Sequence, residues 1–387
     1  MPDDPSRTPA AAVRAPEEIG SRERWVRLLL LFVLLYGFLA GIDALGKGLA
    51  GLGGSFVDAL FQGIGNPLVG LFAGTLTTVL VQSSSVTTST IVTLVGTGVI
   101  GVADAVPLVM GANIGTTITN TLASLGSIRR TEEFRRAFTG ATMHDFFNLV
   151  AVAVMLPLEV ATGFLSRAAI AISGLVGDVS TGEFDSPLSS VVSVVSDALS
   201  TLLENLFGTG TLSAVLLMLV GLALIFATLV AITKNMRVVI AGAAERSMNA
   251  VLERSGALGI VVGAVLTVAV QSSSITTSLL IPMIAAGVLS IPNAYPLTLG
   301  ANIGTTVTAL LASLAVDRIE GLQIALVHLL FNVGGVLLLY PVPALRRVPL
   351  RLAASLARVA TQRRTLVMVY ILLVFYVLPL VGILVLR

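Results

Sequence analysis

The chain has no cysteine and only two histidines, His144 and His328, in 387 residues. Disulfides and thiolate metal sites are thereby excluded, and so is a histidine-rich metal centre. Charge is scarce as well: 11% of residues are Asp, Glu, Lys or Arg against 55% hydrophobic, and mean hydropathy is +0.97. Soluble globular domains carry about a quarter charged residues, so the main solvent here is a bilayer and no nucleic acid is expected as a partner.

What is present instead is long apolar sequence. One run extends from Trp25 to Ala40 and on through Leu45 to Leu52, more than the ~20 residues that cross a ~30 Å hydrocarbon core. It lacks the short apolar core and small-residue cleavage site of a secretory signal. Residues 1–24, with Pro2, Pro5, Pro9 and Pro16 among Arg and Glu, read as a disordered tail because they cannot bury a core.

An internal repeat organises the rest. Gly74 to Leu125 aligns without gaps on Gly263 to Leu314, with 28 of 52 positions identical. VQSSSVTTS (Val81 to Ser89) answers VQSSSITTS (Val270 to Ser278), and GANIGTT occurs at Gly111 to Thr117 and at Gly300 to Thr306. HDFFN (His144 to Asn148) answers HLLFN (His328 to Asn332). The expected fold is an all-α polytopic membrane protein. Each copy holds a spanning helix, a re-entrant helical hairpin broken at QSSS, a second helix interrupted at GANIGTT, and a third helix. Three crossings per copy makes the two repeats inverted in topology.

Basic residues test this layout, since cytoplasmic loops collect Lys and Arg. Of 23, 19 fall in segments expected inside: Arg7, Arg14, Arg22, Arg24 and Arg27; Arg129, Arg130, Arg135 and Arg136; Lys234, Arg237, Arg246 and Arg254; Arg346, Arg347, Arg351, Arg358, Arg363 and Arg364. The resulting division is a first inverted repeat at 25–162, an outside linker at 163–211 and a second repeat at 212–345. A basic amphipathic helix on the inner surface follows at 346–364, then a C-terminal transmembrane helix at 365–387. The expected location is the cell membrane with a cytoplasmic N-terminus. Asp43 and Lys47, four apart, read as an interfacial ion pair.

Backbone groups at membrane depth stay unpaired only where protein, water or a ligand satisfies them, so the two broken segments are the candidate site. A helix restarting after QSSS aims free N–H groups and partial positive charge at the break, which suits an anion. Ser83, Ser84 and Ser85 facing Ser272, Ser273 and Ser274 would surround a tetrahedral oxyanion with neutral donors. Gln82, Gln271, Asn113 and Asn302 add amides that also suit an alkali cation. Thr116 and Thr119, like Thr305 and Thr308, share a helix face. No Arg or Lys lies in either cassette, so a bound Na+ is a physical answer to the anion's charge. The competing structural reading is that the small residues serve close helix packing. His144 with Asn148 and His328 with Asn332, each four apart, read as an interhelical hydrogen-bond clamp, with a role in protonation or pH sensitivity as the alternative.

With both QSSS and both GANIGTT segments, EFRRAFTGATMHDFFN (Glu133 to Asn148), AYPLTLGANIGTT (Ala294 to Thr306), LQIALVHLLFN (Leu322 to Asn332) and YPVPALRRVPLR (Tyr340 to Arg351), the chain resembles the type II sodium-dependent phosphate cotransporters. Its short, cysteine-free linker is similar to that of prokaryotic members. The resemblance implies Na+-driven phosphate uptake by alternating access, with no enzyme activity and no cofactor beyond the co-transported Na+. It implies phosphate held between the QSSS hairpins. Sodium ligation is implied at Gln271, Ser272, Thr305 and Thr308, and by symmetry at Gln82, Ser83, Thr116 and Thr119. Phosphate, Na+ and membrane lipids are the expected partners, and a homodimer stays open. Rival readings are a Na+-independent phosphate exporter, a carrier of another oxyanion, an anion channel and an intramembrane hydrolase. The last is disfavoured because two symmetric serine sets do not supply one nucleophile with a base.

Overall fold

A computed structural model describes residues 20–52, 65–175, 189–251 and 256–387. Among them the regular structure is helical throughout. The first copy comprises α1 (Ser21–Gly51), α2 (Pro67–Val81), α3 (Ser84–Gly96), α4 (Val102–Thr116), α5 (Ile118–Ser124) and α6 (Thr131–Thr162). Two helices follow, α7 (Phe164–Ser173) and α8 (Ser189–Phe207). The second copy comprises α9 (Thr211–Val251), α10 (Gly256–Val270), α11 (Ser273–Ala286), α12 (Ile291–Ser313) and α13 (Ile319–Leu339). The chain ends with α14 (Pro343–Gln362) and α15 (Thr365–Leu386), whose middle, Leu373–Val377, winds as a π-helix. Residues 1–19 of the expected tail lie outside the described residues.

Among the described residues six helices are long and apolar enough to cross a bilayer: Arg22–Gly51, Thr131–Thr162, Ser190–Phe207, Thr211–Met236, Ile319–Leu339 and Thr365–Leu386. They leave large apolar side chains exposed, such as Leu29 and Phe32 on α1 and Val385 on α15. Water would penalise such a surface and lipid would not. The chain is an all-α polytopic membrane protein. Two expected crossings are missing from the six: α4 and α5 because the break at Thr117 leaves pieces of 15 and 7 residues, and α12 because its polar GANIGTT lowers its hydropathy. Both are almost entirely buried, where neighbouring helices rather than lipid meet the polar groups. The expected outside linker contains α7 and α8. Lys47 pairs with Asp43 at 2.9 Å and with Asp197 of α8, which pins α8 against α1. Glu159 near the end of α6 accepts the Leu165 N–H at 2.7 Å and the Ser166 hydroxyl, capping α7 after the left-handed turn at Gly163.

The two copies interlock reciprocally. α1 packs on its counterpart α9, α3 packs on α12 and α13, and α11 packs on α5 and α6. The second arm of each hairpin thus packs on helices of the opposite copy.

The GANIGTT segments depart from expectation. In the first copy the helix breaks only at Thr117, and in the second α12 runs through the segment unbroken. Their glycines serve close approach instead of unwinding. A Cβ at Gly111 would stand 2.0 Å from the Leu71 carbonyl oxygen, and one at Gly300 would stand 1.9 Å from that of Ile260. Gly115 and Gly304, four residues on, face Thr75 and Ala264 in the same way. Small residues at i and i+4 let backbones touch, and without a hydrophobic driving force in lipid this contact supplies much of the association.

Candidate functional site

Both hairpins break where QSSS begins. α2 ends at Gln82 and α10 at Gln271, and these are the only non-glycine residues with positive φ among the described residues, at 57° and 56°. Left-handed backbone costs an L residue about 1–2 kcal/mol, so the same strain at the same point of both copies marks a constrained geometry. Part of the cost is offset locally, because Gln82 Nε2 donates to Val79 O at 2.5 Å and Gln271 Nε2 to Val268 O at 2.6 Å. The next residue is extended and caps the new helix. Ser83 Oγ accepts the Val86 N–H and Ser272 Oγ accepts the Ile275 N–H, each at 3.3 Å. The N–H groups of Ser84 and Ser85, and of Ser273 and Ser274, have no intrahelical acceptor.

The two breaks meet in one cavity of about 420 Å³, lined by Gln82 to Val86 and Gln271 to Ile275. Two helix N-termini therefore face a common space, each worth about half a positive charge. α9 supplies another wall through Phe226, Leu229, Val230, Thr233 and Lys234, and Thr119 of α5 lines the cavity too. No acidic side chain lines it among the described residues. All six serines of the two QSSS runs are in the lining.

The other singled-out residues sit elsewhere. Thr308 donates to Gln271 Oε1 at 2.9 Å, joining two of the four residues expected to bind sodium in the second copy. Thr305 donates to Ala301 O at 3.0 Å and Thr116 to Ala112 O at 2.8 Å, and both lie outside the cavity lining. Asn113 and Asn302 belong to a buried network between the copies. Asn302 bonds His144 Nε2 at 2.6 Å and donates to Asn148 Oδ1 at 2.8 Å. Asn148 donates to Asn113 O at 2.7 Å, and Asn120 bonds His144 Nδ1 at 3.3 Å and accepts from Thr277 at 2.8 Å. The clamp read from the first His and Asn pair is thus real, and its partner is the Asn of the opposite GANIGTT. The second copy differs: His328 Nδ1 and Asn332 Oδ1 have no partner among the described residues. Asp145, which the second copy replaces with Leu329, accepts from Tyr370 at 2.7 Å and Thr121 at 3.2 Å and so ties α15 to the first copy.

Comparison with known proteins decides the family. The profile described as Na+/Pi-cotransporter matches residues 38–234 and 224–348. The chain belongs to the Na+/Pi-cotransporter family. Its relatives include sodium-dependent phosphate transport protein 2A of Rattus norvegicus, 35% identical over 94% of this chain and 68% of the relative. The 2A protein of Ovis aries is 34% identical over 92% and 67% of the two chains. The 2B protein of Homo sapiens is 33% identical over 92% and 64%. No solved structure matches.

Within this family member, the residue that repeat-based reasoning misses is Lys234. It falls outside both aligned cassettes, and no ion pair among the described residues engages it. The signal available in sequence was only its place at the charged end of a long apolar run. Among the described lining residues, positive potential comes from the two helix N-termini and the Lys234 ammonium group.

Proposed function

We propose that this cotransporter-family member takes up inorganic phosphate by secondary active transport coupled to Na+, through alternating access. The observation that carries the reading is the meeting of two helix N-termini and six serine hydroxyls in one cavity with no carboxylate among its described lining residues. Such a site accepts an anion by hydrogen bonds and dipoles, which oxyanions satisfy on every oxygen. That relatives are named sodium-dependent phosphate transport proteins supports phosphate as the anion.

In this mechanism Gln82, Ser83, Ser84 and Ser85 hold one side of phosphate and Gln271, Ser272, Ser273 and Ser274 the other. Sodium is held by Gln271, Ser272, Thr305 and Thr308, with the counterparts Gln82, Ser83, Thr116 and Thr119 as a symmetric second set. Asn302, expected in the phosphate shell, acts instead by joining the copies through His144 and Asn148, while the Asn113 amide, expected there too, donates to Val109 O at 2.9 Å within its own helix. A cation and an anion about 4 Å apart attract by roughly 4 kcal/mol at an effective dielectric constant near 20. Each ion then raises the other's affinity by about a thousandfold, and this reciprocity is the coupling. The copies are inverted in the cell membrane with the N-terminus cytoplasmic, so the cavity, beside the Lys234 end of the α9 span, belongs to the inner side.

The test is uptake of labelled phosphate into proteoliposomes under an inward Na+ or K+ gradient. Accumulation against the phosphate gradient with Na+ alone is expected. Equal uptake with K+ would favour Na+-independent carriage, and equilibration without accumulation would favour a channel. Stronger inhibition by sulfate than by unlabelled phosphate would reassign the substrate.

A further inference from the structure

α14 carries positive charge that no carboxylate among the described residues pairs with. From Gly321 to Arg387 the chain has no Asp or Glu, and no ion pair among the described residues involves an arginine of α14. Arg347 donates to the Pro343 carbonyl at 3.0 Å and Arg358 to Ser355 Oγ at 3.0 Å, both within their own helix.

The helix presents three faces. Pro349, Ala353, Ala357 and Ala360 are buried, and the helix packs on α6. Leu345, Leu352 and Val359 recur every seven residues, which at 100° per residue keeps them within about 40° of one another. They stay 38%, 41% and 48% exposed. Arg347, Arg351 and Arg358 are exposed on a third face, roughly 120° from the apolar one. Its ends are fixed: Arg346 stacks 5.1 Å over Tyr340, while Arg364, just beyond, donates to Thr131 at 3.1 Å and lies 5.5 Å over Phe134. The helix is therefore docked along one side by small residues, with an apolar stripe and an arginine stripe side by side on the outside.

We infer that α14 is a binding surface for anionic phospholipids, with Leu345, Leu352 and Val359 among the acyl chains and Arg347, Arg351 and Arg358 on headgroup phosphates. An apolar stripe beside an arginine stripe is the arrangement that places a helix in the interface plane. The unbalanced charge selects anionic lipid over zwitterionic. This inference rests on membrane residence and not on the transported substrate, so its test reads lipid directly.

The full chain is reconstituted in phosphatidylcholine mixed with phosphatidylglycerol, extracted in mild detergent, and its retained lipid counted by native mass spectrometry. Wild type should retain phosphatidylglycerol preferentially, and raising the ionic strength should weaken the preference. Each surface arginine contributes roughly fivefold, so R347Q/R351Q/R358Q should reduce the preference on the order of a hundredfold. The corresponding Lys variant should keep most of it. No preference in wild type, or full retention by the Gln variant, overturns the inference. So does displacement of the lipid by added inorganic phosphate, which would identify a free-anion site.

Discussion

Replacing Gln271 by glycine and, separately, by alanine distinguishes two reasons for a glutamine at a hairpin tip. Gln271 holds φ at 56°, a conformation costing about 1–2 kcal/mol for an L residue and nothing for glycine. Its side chain makes two hydrogen bonds, to Val268 O and from Thr308, together worth about 1–3 kcal/mol. Gln271→Gly exchanges one set for the other and should fall between about 1 kcal/mol more stable and about 2 less. Gln271→Ala keeps the strain and loses both bonds, so it should be destabilised by about 1–3 kcal/mol. If the tip needed only a left-handed residue, the glycine variant would transport. Because the amide oxygen is assigned to sodium, both variants should lose Na+-driven uptake, the glycine variant while folded. Melting temperature in detergent and phosphate uptake in proteoliposomes read the two quantities separately. Wild-type uptake by Gln271→Gly would refute the ligand role, and a glycine variant less stable than the alanine one would refute the strain argument.

Gly300→Ala should cost about 1–3 kcal/mol, since its Cβ meets the Ile260 carbonyl at 1.9 Å and two backbones must part. Gly126→Ala, with nothing within 4 Å of its Cβ, should stay within about 0.5 kcal/mol. Equal melting temperatures for the two would sink the packing account of GANIGTT. Lys234→Met should raise the phosphate KM several-fold with little change in maximal rate, and Lys234→Arg should restore it. An unchanged KM in Lys234→Met removes Lys234 from the site.

The hairpins were legible because their signal is local: an N-cap serine after a glutamine, repeated at the same spacing, marks a chain break without reference to any neighbour. GANIGTT was not, because glycines four apart serve either unwinding or close approach, and only the facing backbone at Leu71 or Ile260 decides which. The His144 and Asn148 clamp could be read from spacing, but its partner, Asn302, lies 154 residues beyond Asn148 and follows from the reciprocal packing of the copies. α8 was hidden in an expected linker by Asp197 and Glu204, whose charges mask an otherwise apolar helix. Lys234 could be read only as an inner-side basic residue, because it lies outside the aligned repeat, and its place in the cavity lining follows from the packing of α9.

In the proposed mechanism both QSSS tips form one phosphate site. Its most direct test is the phosphate affinity of Ser84→Ala and of Ser273→Ala, measured in the presence of Na+ on the purified protein. A hydroxyl donating to a charged ligand contributes about 1.5–3 kcal/mol, so each substitution alone should weaken binding by roughly 10- to 150-fold. Full affinity in either variant would contradict a site shared by the two copies.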